Sequence, residues 1–345
     1  MVKFTRCGLD LAKHVFQVHG VNEHGAVMER KTLARARVLQ YFALLPPCLI
    51  GVEACGTSHY WARELTRLGH TVKIMAAQFV IPYRKRSKND ANDAEAICEA
   101  VGRPNMHFVA IKSPEQQAVL MVHRARALLV TNRTGLINQI RSLVGEFGLF
   151  VPKGVTRFRT QLPPILRDAE NALPTLAREV LAQLLEQLRE LDQHVHRYDL
   201  KIRQLAQHSE PARRLMQIEN IGPVTATAIV ASIGDAHAFK SGRNYAASLG
   251  LVPRQDSSGG TIRLGRITKR GDRYLRKLLI LGAQAYLRML DKKTDGKSSW
   301  AKRLKERRHV NIAAVALAAK HARIAWAMLA KGTDYHPNQP HETAA

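Results

Sequence analysis

Between positions 181 and 205 the apolar residues recur at spacings that alternate three and four: Leu181, Leu184, Leu188, Leu191, Val195, Tyr198, Ile202 and Leu205. Only an α-helix sets such positions on one side, and a heptad seam kept up over this span needs a rod of ~40 Å. A rod that long does not fit inside a small sheet domain, so it divides the chain. The seam has two readings, a coiled coil between chains or packing on a neighbouring helix of the same chain, and either gives an elongated arm.

Before the arm the pattern is of another kind. FTRCGLDLA and HVFQVHGVN read as strands around an EHG turn, AVMERKTL as a third strand, RARVLQYFALL as a helix, and CLIGVEAC as a short buried strand. SHYWARELTRLG then reads as a helix, HTVKIMAA as a strand and HFVAIK, at 107–112, as a last one. A meander followed by alternating helices and strands predicts a mixed sheet flanked by helices over 1–112. The helical arm follows over 113–210, opening with a helix from about 115 to 147 and interrupted by FVPKGVTRFRTQLPP. Residues 211–330 are again mainly helical, broken by the Gly-rich stretch SLGLVPRQDSSGGTIRLGRITKRGD at 248–272, and 331–345 form a Pro-, His- and Asn-bearing tail that is expected to fray. The fold class expected is therefore α/β plus all-α.

Charge narrows the partner. With 53 Lys+Arg against 28 Asp+Glu the chain carries +25, which calls for a polyanion. No stretch approaches about eighteen consecutive apolar residues and MVKFTRCGLDLAK has no signal-peptide core, so the expectation is a cytoplasmic nucleic-acid-binding protein without a membrane partner. Cys7, Cys48, Cys55 and Cys98 lack CxxC spacing, which argues against zinc and disulfides and predicts buried, reduced thiols.

Against so basic a background the acids stand out. Asp10 ends the first strand in CGLDLAK and Glu53 ends the fourth in IGVEACG, while Asp90 and Asp93 open a helix in SKNDANDAEAI, three apart and on one face. Singly each has an ordinary reading: Asp10 a turn residue, Glu53 a solvated strand end, Asp90 an N-cap. Four carboxylates meeting in one place repel one another unless a cation lies between them, and Mg²⁺ prefers such oxygen ligands together with substrate phosphate. Two such ions about 4 Å apart serve phosphodiester cleavage.

This order of acids on this strand pattern resembles RNase H-like nucleases. More specifically, GLDLAK, GVEACG and SKNDANDAEAI, followed by long helices and GLVPRQDSSGGTIRLGRITKRGDRYLRKLL, resemble the DEDD transposases of bacterial insertion sequences over nearly the whole chain. The resemblance implies a resolvase-like N-terminal domain whose four acids are Asp10, Glu53, Asp90 and Asp93, binding Mg²⁺, and a C-terminal transposase domain with a nucleophilic serine at Ser258, next to Ser257. From the residues alone SSGG is a flexible loop whose glycines let backbone approach a phosphate. The resemblance further implies double-stranded DNA and a structured guide RNA as partners, and a tetramer in which the acids of one protomer face the serine of another. Arg84, Lys85, Arg86 and Lys88 beside the acids, and Arg263, Arg266, Lys269, Arg270, Arg273, Arg276 and Lys277 after the serine, are candidate phosphate contacts, as is KRLKERRH at 302–309. IENIGPVTATAI, at 218–229, resembles a helix-hairpin-helix, and Trp61, Trp300 and Trp326 read as packing residues. The competing readings are a metal-dependent junction resolvase or nuclease, which needs the acids but no serine, and a non-enzymatic nucleic-acid-binding protein, which needs neither.

Overall fold

Residues 4–85, 87 and 89–337 are described by a computed structural model of the chain. Its first third builds one six-stranded sheet. Strands β1 (Arg6–Leu11), β2 (Val15–Val21) and β3 (Val27–Ala34) form an antiparallel meander, β4 (Leu49–Glu53) and β5 (Thr71–Met75) run parallel to β1, and β6 (Phe108–Val109) closes the edge antiparallel to β5. The order is β3-β2-β1-β4-β5-β6. This is the mixed α/β arrangement that the strand pattern predicts, and it is compatible with an RNase H-like domain.

The two faces of the sheet differ in what they bury. On one, Cys7, Leu9, Phe16, Val18, Ile50, Val52 and Ile74 meet Val38 and Phe42 of α1 (Val38–Ala43) and Trp61, Ala62 and Leu65 of α2 (Ser58–Arg67). Each fully buried Leu, Ile or Phe is worth ~1.5–3 kcal/mol, and this face holds the larger of the sheet's two buried clusters. The other face takes the short α3 (Ala77–Val80) and then α4 (Asp90–Val101), with Met75, Val80, Ile97 and Val101 between. Here Gly8 and Gly51 lie level on adjacent strands. A Cβ on Gly8 would stand 2.1 Å from the Ala94 carbonyl oxygen and one on Gly51 2.8 Å from Val101 Cβ, so the helix rests directly on the sheet backbone. Cys98 Sγ lies 3.9 Å from the Arg6 carbonyl oxygen, so the C-terminal end of α4 covers the start of β1 and its N-terminal end points towards the strand's finish.

Among the described residues, those up to Pro114 with Ile233–Lys240 form one compact unit, and Glu115–Ser232 with those from Ser241 onward form a second. The second begins with α5 (Pro114–Gly145), α6 (Val155–Arg167) and α7 (Thr175–His208). Helix α6 corrects an expectation, because it occupies the stretch taken as an interruption and holds Pro163 and Pro164. Phe158 and Leu162, one turn apart, are fully buried among Ile137, Ile140, Val144, Leu181, Leu185 and Leu188. That burial outweighs the backbone hydrogen bonds the prolines forgo near the helix end. The heptad seam of α7 also faces into its own chain. Leu181, Leu188, Val195 and Ile202, one per heptad, are buried, whereas Leu184, Leu191, Tyr198 and Leu205 are half-buried. Arg126–Asp199 at 2.6 Å, Arg133–Asp192 at 3.3 Å and Arg159–Asp192 fasten α5 and α6 to it.

The remaining elements are α8 (Glu210–Leu215), α9 (Pro223–Ile233), α10 (Gly242–Ser248), β7 (Pro253–Gln255), β8 (Leu264–Ile267), α11 (Arg273–Arg288), α12 (Gly296–Arg307) and α13 (Val310–Lys331). Helix α13 is long and apolar enough to cross a membrane by length and composition, yet half of that window is buried inside the chain, against α10 and α11. Of the expected tail, residues 338–345 lie outside the described residues. His123 of α5 is fully buried and joins three helices. Thr227 of α9 spends its hydroxyl proton on the Pro223 carbonyl, 2.7 Å away, so it accepts from His123 Nε2–H at 3.0 Å, which leaves Nδ1 to accept from the Tyr274 hydroxyl of α11 at 3.1 Å. Burial, and then Arg126, holds this imidazole neutral with its pKa lowered to about 4.

The two rows of the seam make a measurable contrast. Leu188→Ala should cost about 2–5 kcal/mol in chemical denaturation and Leu191→Ala about half as much or less. Equal losses would mean that a further surface covers the half-buried row.

Candidate active site

Asp10 sits directly opposite Gln17 on β2, and the parallel register that pairs Leu9 with Val52 brings Glu53 level with Asp10. Both acids are two residues beyond the glycines that seat α4, so both stand on the α4 face near the finish of their strands. The helix adds the other two. The cap is not Asp90: Asn89 takes that position in extended backbone, its side-chain oxygen accepting the Asn92 N–H at 2.8 Å. Asp90 and Asp93 therefore fall in the first turn with neither side chain engaged in capping, where the helix macrodipole also favours negative charge. The signal for this was in the sequence, since Asn caps as well as Asp and precedes it by one.

The four acids lie within electrostatic reach of one another. Burial first, then the charges of Asp90, Asp93 and Glu53, push the Asp10 carboxyl up from the ordinary aspartate value to about 6, against a hydrogen bond from the Leu11 backbone that lowers it. Arg84 reaches Asp93 at 3.2 Å, and Lys85 and Arg30 reach Glu95 at 3.3 and 3.7 Å. The basic run is thus partly turned onto its own helix. Arg86 and Lys88 lie outside the described residues. Among the described residues no three or more His, Cys, Asp or Glu are drawn together tightly enough to cage a metal. The chemistry of the donor set nonetheless fits a hard divalent cation, because it is all carboxylate oxygen and the mutual repulsion at Asp10 is what such a cation relieves.

Ser258 stands outside the strands, as expected, beside a hairpin turn that two short strands lead into. Pro253 pairs with Ile267 and Gln255 with Leu264, making β7 and β8 an antiparallel ribbon. Ser258 bridges Thr261, whose N–H donates to the Ser258 carbonyl at 3.0 Å, and between them Gly259 and Gly260 both take positive φ, 53° and 75°. Two consecutive left-handed residues are what a two-residue hairpin turn needs, and this is why the glycines stand there. Ser257 accepts the Arg263 backbone N–H on its hydroxyl oxygen at 3.1 Å. Every residue from Pro253 to Arg266 is exposed, including Ile262 and Leu264.

Of the cations after the serine, Arg263, Arg266, Lys269, Arg270, Arg273 and Lys277 are exposed, and Lys269 holds a left-handed φ of 56° that is costly for a side chain with a Cβ. Arg276 is a correction. It is buried, and its Nη1 donates to the Leu249 and Arg270 carbonyls, both at 2.8 Å, which closes the root of the ribbon. Cys55 is a second correction: it is exposed, whereas Cys7, Cys48 and Cys98 are buried. Trp61 is buried, in keeping with a packing role. The IENIGPVTATAI stretch turns from α8 into α9 through Asn220, at φ 63°, and Glu219 is clamped there by Lys293 and, at 2.9 Å, by the buried Lys297. Arg303, Lys305, Arg307 and Arg308 are exposed at the end of α12.

Known proteins match along the whole of this layout. A family model described as transposase, of the DEDD type named for IS110, matches residues 7–148, and the Transposase IS116/IS110/IS902 family model matches residues 212–302. A probable family 20 transposase of Pseudomonas aeruginosa is 50% identical over 337 residues, 97% of this chain and 100% of that protein. The transposase for insertion sequence element IS1111A of Coxiella burnetii is 42% identical across 95% of this chain and 90% of that protein. The transposase for IS1328 of Yersinia enterocolitica is 38% identical across 96% and 99%.

The raised carboxyl of Asp10 has a sign that can be measured. The folded chain binds this proton more tightly than the unfolded chain, so the stability it contributes is complete below about pH 4 and is lost as pH rises through about 6. In chelator-containing buffer the unfolding midpoint should fall between about pH 4.5 and 7, and Asp10→Asn should remove that part of the slope. Parallel slopes for the two proteins would show that Asp10 titrates normally.

Proposed function

The chain belongs to the IS116/IS110/IS902 family of transposases and is a DNA transposase, and from that premise we propose that it cuts and rejoins DNA with two sets of residues, the four acids and a serine. Asp10, Glu53, Asp90 and Asp93 hold Mg²⁺. When bound, the ion offsets charge on the oxygens of the reacting phosphate. The observation that carries this reading is the placement of the acids, Asp10 and Glu53 level on adjacent strands and Asp90 and Asp93 in the first turn of the helix that rests on Gly8 and Gly51.

The nucleophile is Ser258. Its Oγ forms a bond to phosphorus as one deoxyribose oxygen leaves, so a phosphoserine ester conserves the energy of the broken phosphodiester for rejoining. Its place beside the ribbon turn, exposed and without the backbone engagement that holds Ser257, supports it over its neighbour. Arg263, Arg266, Lys269, Arg270 and Arg273 meet the phosphates of double-stranded DNA, with Arg84 and Lys85 beside the acids, and the turn at Glu219–Gly222 offers backbone N–H groups to another phosphate. The charge of +25 and the family resemblance support a structured guide RNA as a second polyanion. The half-buried row of α7, with Met121 and Leu128 exposed one heptad apart on α5, supports a homo-oligomer, a dimer or tetramer. The place of action is the cytoplasm.

A nicked suicide substrate in Mg²⁺ should trap a protein–DNA adduct that survives denaturing electrophoresis and maps to Ser258 by mass spectrometry. Ser258→Ala should lose the adduct and strand exchange while keeping DNA binding. Efficient exchange by Ser258→Ala, with no adduct in the wild type, would instead favour a resolvase-like hydrolase.

Duplex binding should weaken steeply with salt, each neutralised phosphate adding about −0.9 to the slope of log K against log salt, for roughly six or more contacts. Replacing Arg266, Lys269 and Arg270 together by Ala should flatten that slope by about two to three units. An unchanged slope would move the interface elsewhere.

A further inference from the structure

We infer that Gln17 is a positioning residue for Asp10, a neutral hydrogen-bond donor held in the correct orientation by Thr32; this rests on the four-acid reading above. Three strands set out the row. Thr32 of β3 is directly opposite Gln17 of β2, and Gln17 is directly opposite Asp10 of β1, with Glu53 level on β4. All stand on the α4 face, because residues two positions away on the same strands do. Gly8 lies under Ala94, buried His19 is two beyond Gln17, and Arg30, two before Thr32, reaches Glu95 on α4 at 3.7 Å.

Within that row the Thr32 hydroxyl donates to Gln17 Oε1 at 3.0 Å. An amide that turns its oxygen to one neighbour turns its nitrogen from it, and the neighbour on the other side of Gln17 is Asp10. The two amide N–H groups are then left for the Asp10 side of the row. Asp10 is half-buried, with Gln17 opposite it on one side and Glu53 level with it on the other. A lysine at this position would also donate, but its charge would replace the cation that the acids exist to hold. An amide orients an oxygen without neutralising it. Hydrogen bonds of this kind to ligating carboxylates are worth roughly 10–100-fold in metal affinity.

The test is Mn²⁺ binding to the full-length protein without DNA, by electron paramagnetic resonance of the free ion, alongside thermal unfolding. Gln17→Met keeps the length and removes the donors; it should weaken Mn²⁺ by about 10–100-fold with little change in unfolding temperature. Thr32→Val, which frees the amide to rotate, should weaken it in the same direction by a smaller factor, and Thr32→Ser should restore it. Wild-type Mn²⁺ affinity in both Gln17→Met and Thr32→Val, while Asp10→Asn binds poorly, would overturn the role of Gln17 and leave the acid site standing. Wild-type affinity in Asp10→Asn as well would overturn the acid site itself.

Discussion

Four carboxylates on one face of one sheet repel one another, and the first domain is organised around holding them together despite that. The means is steric. Level glycines, Gly8 and Gly51, let α4 lie against the strand backbone, and the helix then has no freedom to carry Asp90 and Asp93 away from Asp10 and Glu53. Burial first, and then the neighbouring acids, raise the Asp10 carboxyl to about 6. The packing of Ala94 on Gly8 also fixes where Asp90 and Asp93 stand relative to β1.

The second unit solves a different problem, that of joining long helices to a small exposed ribbon. Ion pairs from Arg126 and Arg133 to α7 are half-buried between helices, where salt screens them less than surface pairs, and the more exposed Arg159 joins Arg133 on Asp192. The His123 chain then carries one polar connection from α5 through Thr227 to the start of α9, and through Tyr274 to the helix that follows the ribbon. A buried imidazole with both nitrogens satisfied has one acceptable tautomer, so these helices are fixed in register with one another as well as packed.

Much of this is legible in the chain because it depends on local periodicity. The strands of the meander, the helix–strand alternation and the seam of α7 all repeat at fixed spacing, and the acids fall at the ends of those elements. What is not legible depends on competition between neighbours. Asn89 outcompetes Asp90 for the cap, Phe158 and Leu162 carry a helix past two prolines, and Arg276 turns inward within a run of cations that otherwise point to solvent. The ribbon escapes notice because β7 and β8 span three and four residues and alternate nothing apolar; its one local sign is the paired glycine turn. Whether the seam pairs with its own chain is decided by other helices, α5 and α6, and not by the seam's own spacing.

The ribbon behaves as a boom. From Pro253 to Ser258 its backbone extends roughly 16 Å at the usual rise per residue, rooted by Arg276 at one end and closed by a two-residue turn at the other. The distance of Ser258 from that root follows from residue count. A pair of residues added to each strand would lengthen that reach with the hydroxyl on the same side, while a single one would deliver it to the wrong face. Strand length then sets how far the exposed turn stands from its buried root.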